Sequence, residues 1–215
     1  MAQGNPIKIL VTGFGPFPGV RSNPSGKLIE WIDAGHYAAR DNIEISTAIL
    51  PTSWNGVSEF AGLNSGKSLV DIALHFGVSA RARGFQIETI ARNTVMTAPD
   101  CDGKTFHGTC IEPHAPTTLR TRFAAEPLAC KLRQRGLPAT VSQDAGRYLC
   151  NMLLYLALKR AWQRRSPGIC AFIHIPPLRP GRFDEADLLT GLHVIVTHCA
   201  GLHRRAIQHE NAKSG

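Results

Sequence analysis

The sequence predicts an α/β fold, a three-layer α/β/α sandwich built on a mainly parallel twisted sheet. Three observations carry this expectation. Apolar runs of strand length recur along the chain, separated by segments whose apolar residues repeat with helical spacing. Strands that alternate with helices imply parallel pairing, with helices packed on both faces of the sheet. Runs such as VDIALHFG (70–77) and GICAFIHIP (168–176) are close to continuously apolar, as strands buried on both faces are. Finally, 215 residues with 43% hydrophobic content suffice for one sizeable core, so a single domain over 1–215 is expected. The polar ending HENAKSG marks residues 202–215 as a mobile tail.

The elements follow in order. IKILVTGF (7–14) is an apolar run ended by Gly-Phe-Gly-Pro, a buried strand entering a loop. In SNPSGKLIEWIDA, Asn23 is placed to cap a helix with Pro24 at its first position, and Leu28, Ile29 and Ile32 share a face. IEISTAIL (43–50) reads as a strand, 54–64 as a helix and 70–77 as a strand. FQIETIAR (85–92) is a further strand that carries an acid within an apolar frame. Residues 124–135 form a helix closed by Gly136, and Pro138 leads into the strand ATVSQ. A helix begins near Arg147, the strand GICAFIHIP follows, and a last helix runs from about Phe183 or Glu185 to Ala200.

Composition excludes several classes. No stretch approaches the roughly 18 apolar residues of a membrane span, and MAQGNPIKIL lacks a signal-peptide pattern, so a soluble cytoplasmic protein is expected. The net charge of +8 is dispersed in short groups, among them Arg81 and Arg83, Arg120 and Arg122, and Lys159 to Arg165. Aromatic residues are not interleaved with them, which argues against nucleic acid as a partner. Six cysteines, at 101, 110, 130, 150, 170 and 199, show neither a C-x-x-C pair nor a His partner at zinc-finger spacing. They read as reduced thiols, with no metal site and no cofactor expected.

Ligands of such sheets gather beyond the carboxyl ends of the strands. Glu88, Cys150 and His174 fall there or within apolar strands, supplying an acid, a thiol and an imidazole. Each has an ordinary alternative: Glu88 as an outward-facing strand residue, Cys150 as a core thiol, His174 as a hydrogen-bonded histidine at a strand exit. A nucleophilic cysteine needs a histidine or a helix N-terminus to favour its thiolate, because an unperturbed thiol titrates near ~8.5. Cys150 stands at the seam between ATVSQ and an apolar helix, where free N–H groups face sulfur and a developing oxyanion.

Four separated motifs extend this reading. ILVTGFGPFPGVRSNPS, LHFGVS with IETIARN, PATVSQDAGRYLCN and AFIHIP resemble, in order, the signatures of the C15 family of cysteine peptidases, the pyroglutamyl peptidases, over roughly residues 7–177. The resemblance implies a phosphorylase/hydrolase-like sheet and a hydrolase that removes an N-terminal pyroglutamyl residue from peptides through a thioester. It implies Cys150 as nucleophile, His174 as general base and acid, and Glu88 as the group that orients the imidazole. It also implies Phe14 and Phe17 flanking the lactam ring, Tyr148 and Leu149 as further walls, and a homodimer or homotetramer.

The chain departs from the family pattern in places. Val78 stands where many bacterial members have glutamine, and no arginine occurs between Asn93 and Arg120. Asp144 and Arg147 replace the two usual threonines of the cysteine motif, and Arg147 is expected to compensate for the missing guanidinium. Two other readings therefore stand beside the peptidase: a same-scaffold amidase with shifted specificity or very low activity, and a non-catalytic protein that recruits an acidic partner.

Overall fold

The computed structural model describes residues 5–17, 19, 20, 22–40, 42–63, 70–164 and 166–214. At its centre lie three strands buried almost throughout: β1 (Ile7–Phe14), β3 (Ile72–Val78) and β8 (Ile169–Ile175). Outside β1 lies β2 (Ile43–Leu50), whose residues are mostly part-exposed or exposed, as an edge position requires. β4 (Phe85–Glu88) and β7 (Ala139–Ser142) complete a six-stranded sheet in the order β2-β1-β3-β8-β4-β7.

Pairing is parallel from β2 through β1 and β3 to β8. β4 then runs antiparallel to β8, and β7 lies parallel to β4. Residues 79–84, which join β3 to β4, are too few for the crossover of about a dozen residues that a parallel return needs, so the chain comes back in the opposite direction. The sheet is therefore mixed, though mainly parallel.

The expected single strand 85–92 is divided at Thr89. β5 (Ile90–Arg92) leaves the main sheet and pairs with β6 (Thr118–Arg120) in a separate antiparallel ribbon. Thr89 causes the division: its N–H (2.8 Å) and Oγ1 (2.7 Å) both donate to Ser142 O, while its carbonyl accepts from Thr121 N–H at 3.0 Å.

Two helical layers cover the sheet. α1 (Pro24–Asp33), α3 (Ala125–Gln134) and α5 (Glu185–Ser214) bury Leu28, Ile29, Leu128, Leu132, Leu188 and Ile195 in one apolar cluster. α2 (Trp54–Leu63) and α4 (Leu149–Arg164) bury Trp54, Val57, Met152, Leu153 and Tyr155 in the other. This is the expected three-layer sandwich. As the sequence suggests, Asn23 caps α1: its Oδ1 accepts from Ser25 N–H at 3.1 Å. The cap also fixes the end of β1, because Ser25 Oγ accepts from Phe14 N–H (3.0 Å) and Asn23 Nδ2 donates to Gly15 O (3.0 Å).

The last helix does not stop at Ala200 but continues to Ser214. Beyond Ala200, Leu202 still packs on the core and His203 Nε2 lies 3.6 Å from Asp71 Oδ1. Gly201 alone does not break a helix whose following residues are mostly good helix formers. Among the described residues, no helix is long and apolar enough to cross a membrane.

Candidate active site

His174 lies near the end of β8 and is 7% exposed, and its ring faces the side of the sheet that α4 covers. Glu88, the last residue of β4, is 0% exposed, and its Oε1 lies 2.8 Å from His174 Nδ1. A carboxylate only accepts, so Nδ1 carries the hydrogen and Nε2 is turned to the remaining space. Gln86 stands two residues earlier on the same face of β4, and its Nε2 donates to the same Glu88 oxygen at 2.7 Å. Neighbouring residues fix the ring further: Phe172 meets it edge-on, with ring centroids 5.0 Å apart.

Cys150 is the second residue of α4. Helical bonding starts with Met152 N–H donating to Tyr148 O at 3.1 Å, so the N–H groups of the first turn precede the ladder. The sulfur reaches the sheet because residue 77 has no side chain. Gly77 pairs with His174 across β3 and β8, and a Cβ added there would stand 3.1 Å from Cys150 Sγ and 2.8 Å from Phe172 Cζ. Thiol and imidazole therefore share one small space above adjacent strands.

The electrostatics follow. Burial alone lowers the pKa of His174, but the charge and hydrogen bond of Cys150, joined by those of Glu88, outweigh it and push the imidazole up to about 10. At neutral pH the His174 ring is therefore an imidazolium, held between the Cys150 sulfur and the Glu88 carboxyl. Cys170 and Cys199 contrast with this: burial alone pushes both thiols up to about 12, leaving them inert.

The loop before Cys150 is tightly built. Gly146 adopts φ +82°, a left-handed turn that favours glycine, and its N–H donates to Asp144 Oδ1 at 3.2 Å. Arg147 donates from Nη1 to Asp144 Oδ1 (2.6 Å) and to Gly146 O (2.7 Å). Its guanidinium is thus matched within the loop instead of standing free to compensate for a missing charge. Burial acts to raise the Asp144 carboxyl, but Arg147, the Gly146 N–H and the charge of Arg92 hold it below its ordinary value. Arg92 therefore brings a second guanidinium to this loop from β5, one residue before Asn93 and not after it.

Phe14, Tyr148 and Leu149 gather with Cys150 in one apolar cluster, whereas Phe17 is not among its members. Phe17 instead forms a backbone bridge with Val20 in the loop after β1. Tyr148 packs edge-on to Trp54, with centroids 5.0 Å apart, and donates its hydroxyl to Pro99 O at 2.9 Å.

Several residues of the site escaped the sequence reading. Asn151 is fully buried; its Oδ1 accepts from Arg92 N–H (2.8 Å), and its Nδ2 donates to Arg92 O (2.8 Å) and Thr94 O (3.1 Å). It ties the residue after Cys150 to the segment that follows Glu88. Asn93 in turn holds Glu112 at both its N–H and carbonyl, and Asp100 accepts from Trp54, Asp102 and Lys104 N–H groups. Only the polar identity of Asn151 inside an apolar helix could have signalled its role. Among the described residues, no group of three or more His, Cys, Asp or Glu side chains could hold a metal ion.

Comparison with known proteins gives a consistent result. Residues 7–199 match the family model Peptidase C15, pyroglutamyl peptidase. The pyrrolidone-carboxylate peptidase of Pyrococcus furiosus is 32% identical over 171 residues, which cover 79% of this chain and 81% of that protein. A crystal structure of the pyrrolidone carboxyl peptidase of Fervidobacterium islandicum aligns with a TM-score of 0.81 at 28% identity, covering 88% of this chain and 96% of that one. A mutant of the Pyrococcus furiosus pyrrolidone carboxyl peptidase aligns at 0.83 with 27% identity, covering 91% and 99%.

Proposed function

The chain belongs to the pyroglutamyl peptidase family, and from that premise we propose that it hydrolyses the bond after an N-terminal pyroglutamyl residue, with Cys150, His174 and Glu88 as its catalytic unit. The observation that carries the assignment of residues is the continuous line from Glu88 Oε1 through His174 to the Cys150 sulfur seated over Gly77.

The steps follow from that line. The Cys150 thiolate attacks the pyroglutamyl carbonyl carbon, forming a C–S bond and an oxyanion that the first-turn N–H groups of α4 face. His174 gives its Nε2 proton to the departing amine as the C–N bond breaks, leaving a thioester. The neutral imidazole then takes a proton from water, and the resulting hydroxide adds to the thioester carbonyl. Cleavage of the C–S bond releases pyroglutamate and restores the thiolate and imidazolium. Glu88 holds the Nδ1 hydrogen throughout and fixes which nitrogen faces the sulfur. Phe14, Tyr148 and Leu149 supply the apolar wall that a neutral lactam requires, and Phe17, in the loop after β1, is the further aromatic for the lactam ring. A cytoplasmic, reducing setting suits the reaction, and all six cysteines are free thiols.

The test is release of a fluorogenic coumarylamine from its pyroglutamyl amide under reducing conditions. Wild type is expected to cleave it, and Cys150→Ser and His174→Ala to lose about 10³-fold or more in kcat/KM. Wild-type turnover in either variant would contradict the assignment. One feature supports an amidase of shifted specificity as a second reading: Met96, 46% exposed, donates its N–H to Arg147 O at 2.8 Å, placing an apolar side chain beside the cysteine loop. Cleavage of other small acyl amides in preference to the pyroglutamyl amide would favour that reading.

A further inference from the structure

At the carboxyl edge of the sheet, beside the strand that carries His174, a cavity of about 830 Å³ opens between the turn after β3 and the loop after β8. It is lined by Arg81, Arg83, Arg179 and Arg182, over a floor that includes Phe183 and a wall formed by Pro176 and Pro177. Along the chain these arginines are two distant pairs; the fold makes them one group. All four are exposed, and among the described residues none forms an ion pair. The neighbouring acids are engaged elsewhere. Asp184 and Asp187 accept each other's backbone N–H at the start of α5, and Glu185 meets His36. The loop is shaped to present its cations: Arg179 N–H donates to Phe183 O (2.8 Å), and the Arg182 and Phe183 N–H groups donate to Arg179 O.

Four like charges gathered around one hollow repel one another, and an anion relieves that repulsion. Guanidinium groups match carboxylates in two-point hydrogen bonds, and the cavity falls within the ~300–1,000 Å³ span of ligand sites. Its position narrows the choice of anion. Ser79 N–H donates to Ile175 O at 2.9 Å, so the two segments that line the cavity leave the sheet side by side, just beyond the paired Gly77 and His174. We propose that the arginine cavity is a subsite for acidic side chains downstream of the pyroglutamyl residue, making acidic peptides the preferred substrate class. The inference rests on the peptidase reading above.

The experiment compares pyroglutamyl pentapeptides whose third and fourth residues are both glutamate, both alanine or both lysine, with the pyroglutamyl coumarylamide as a substrate that has no downstream residues. The glutamate peptide should be cleaved with kcat/KM about ten-fold above the alanine peptide and further above the lysine peptide. Raising sodium chloride from about 0.05 M to about 0.5 M should shrink that gap, because screening shortens the reach of exposed charges. The double variant Arg179→Ala with Arg182→Ala should erase the preference, and Arg179→Glu with Arg182→Glu should reverse it towards lysine. Neither should alter cleavage of the coumarylamide, which reports that the fold and catalytic unit are intact. Equal kcat/KM for the three peptides, or a preference that survives both double variants, would overturn the subsite while leaving the peptidase reading in place. Failure to cleave any of the four substrates would overturn the peptidase reading, and the subsite with it.

Discussion

The proposed catalytic unit and the segment over 94–117 lie side by side yet are held by different means. Glu88 and His174 stand on hydrogen-bonded strands, Gly77 lies opposite His174 in the same sheet, and Cys150 begins a helix packed on that sheet. The 94–117 segment contains no helix or strand. Individual side chains hold it: Asn93 on Glu112 and Ala115, Asp100 on three N–H groups, Tyr148 on Pro99, Tyr155 on Pro116, and an ion pair between Lys159 and Glu112. Reacting groups need placement within a fraction of an ångström, which paired backbone supplies. A loop strapped by side chains can change its sequence without disturbing them. Apart from Val78 at the end of β3, the departures from the family pattern sit in the strapped region and the cysteine loop, while Glu88, Cys150 and His174 are all present.

This contrast can be broken at three points of decreasing effect. Glu88→Gln leaves the shape but removes the negative charge that helps hold the His174 proton, and kcat should fall by about 10²–10⁴-fold. The alkaline side of the pH profile should also move. The imidazolium of wild type has its pKa raised above 6.5, so it is retained at neutral pH and lost only as pH rises through about 10; in the variant that loss should begin at lower pH. Gly77→Ala places a methyl 3.1 Å from Sγ and 2.8 Å from Phe172, and the resulting displacement should cost about 10²-fold in kcat with KM less affected. Asn151→Ala removes the clamp on Arg92 and Thr94, and denaturant unfolding should show a loss of about 1–3 kcal/mol. If the two regions are separately held, that variant should raise KM more than it lowers kcat.

The same division governs what the sequence made legible. The strands flanking the site announce themselves through continuous apolar composition, and Glu88, Cys150 and His174 stand out as polar residues within that frame. The break at Thr89 does not, because its bonding partner, Ser142, lies 53 residues away and only the folded chain brings them together. β6 is too short, at 3 residues, to produce a periodicity. The i,i+3 spacing of Asp144 and Arg147 permits their pairing, but nothing local says that the pair forms in preference to a free guanidinium. The reach of α5 to Ser214 was masked by the polarity of its last turns, which belongs to a solvent-facing helix as well as to a tail. Arg81 and Arg83 read as scattered charge until residues 179 and 182 are folded against them.

The central claim is that His174 is already an imidazolium, held between Cys150 and Glu88, in the free protein. Nitrogen-15 NMR of His174 tests this most directly, because the imidazole shifts distinguish one protonated nitrogen from two. Both nitrogens should be protonated at pH 8, with titration near 10, and Cys150→Ala should shift that titration downward by removing the largest influence that raises it. A His174 that is neutral at pH 8 in the wild-type protein, with a titration unaffected by Cys150→Ala, would contradict the account.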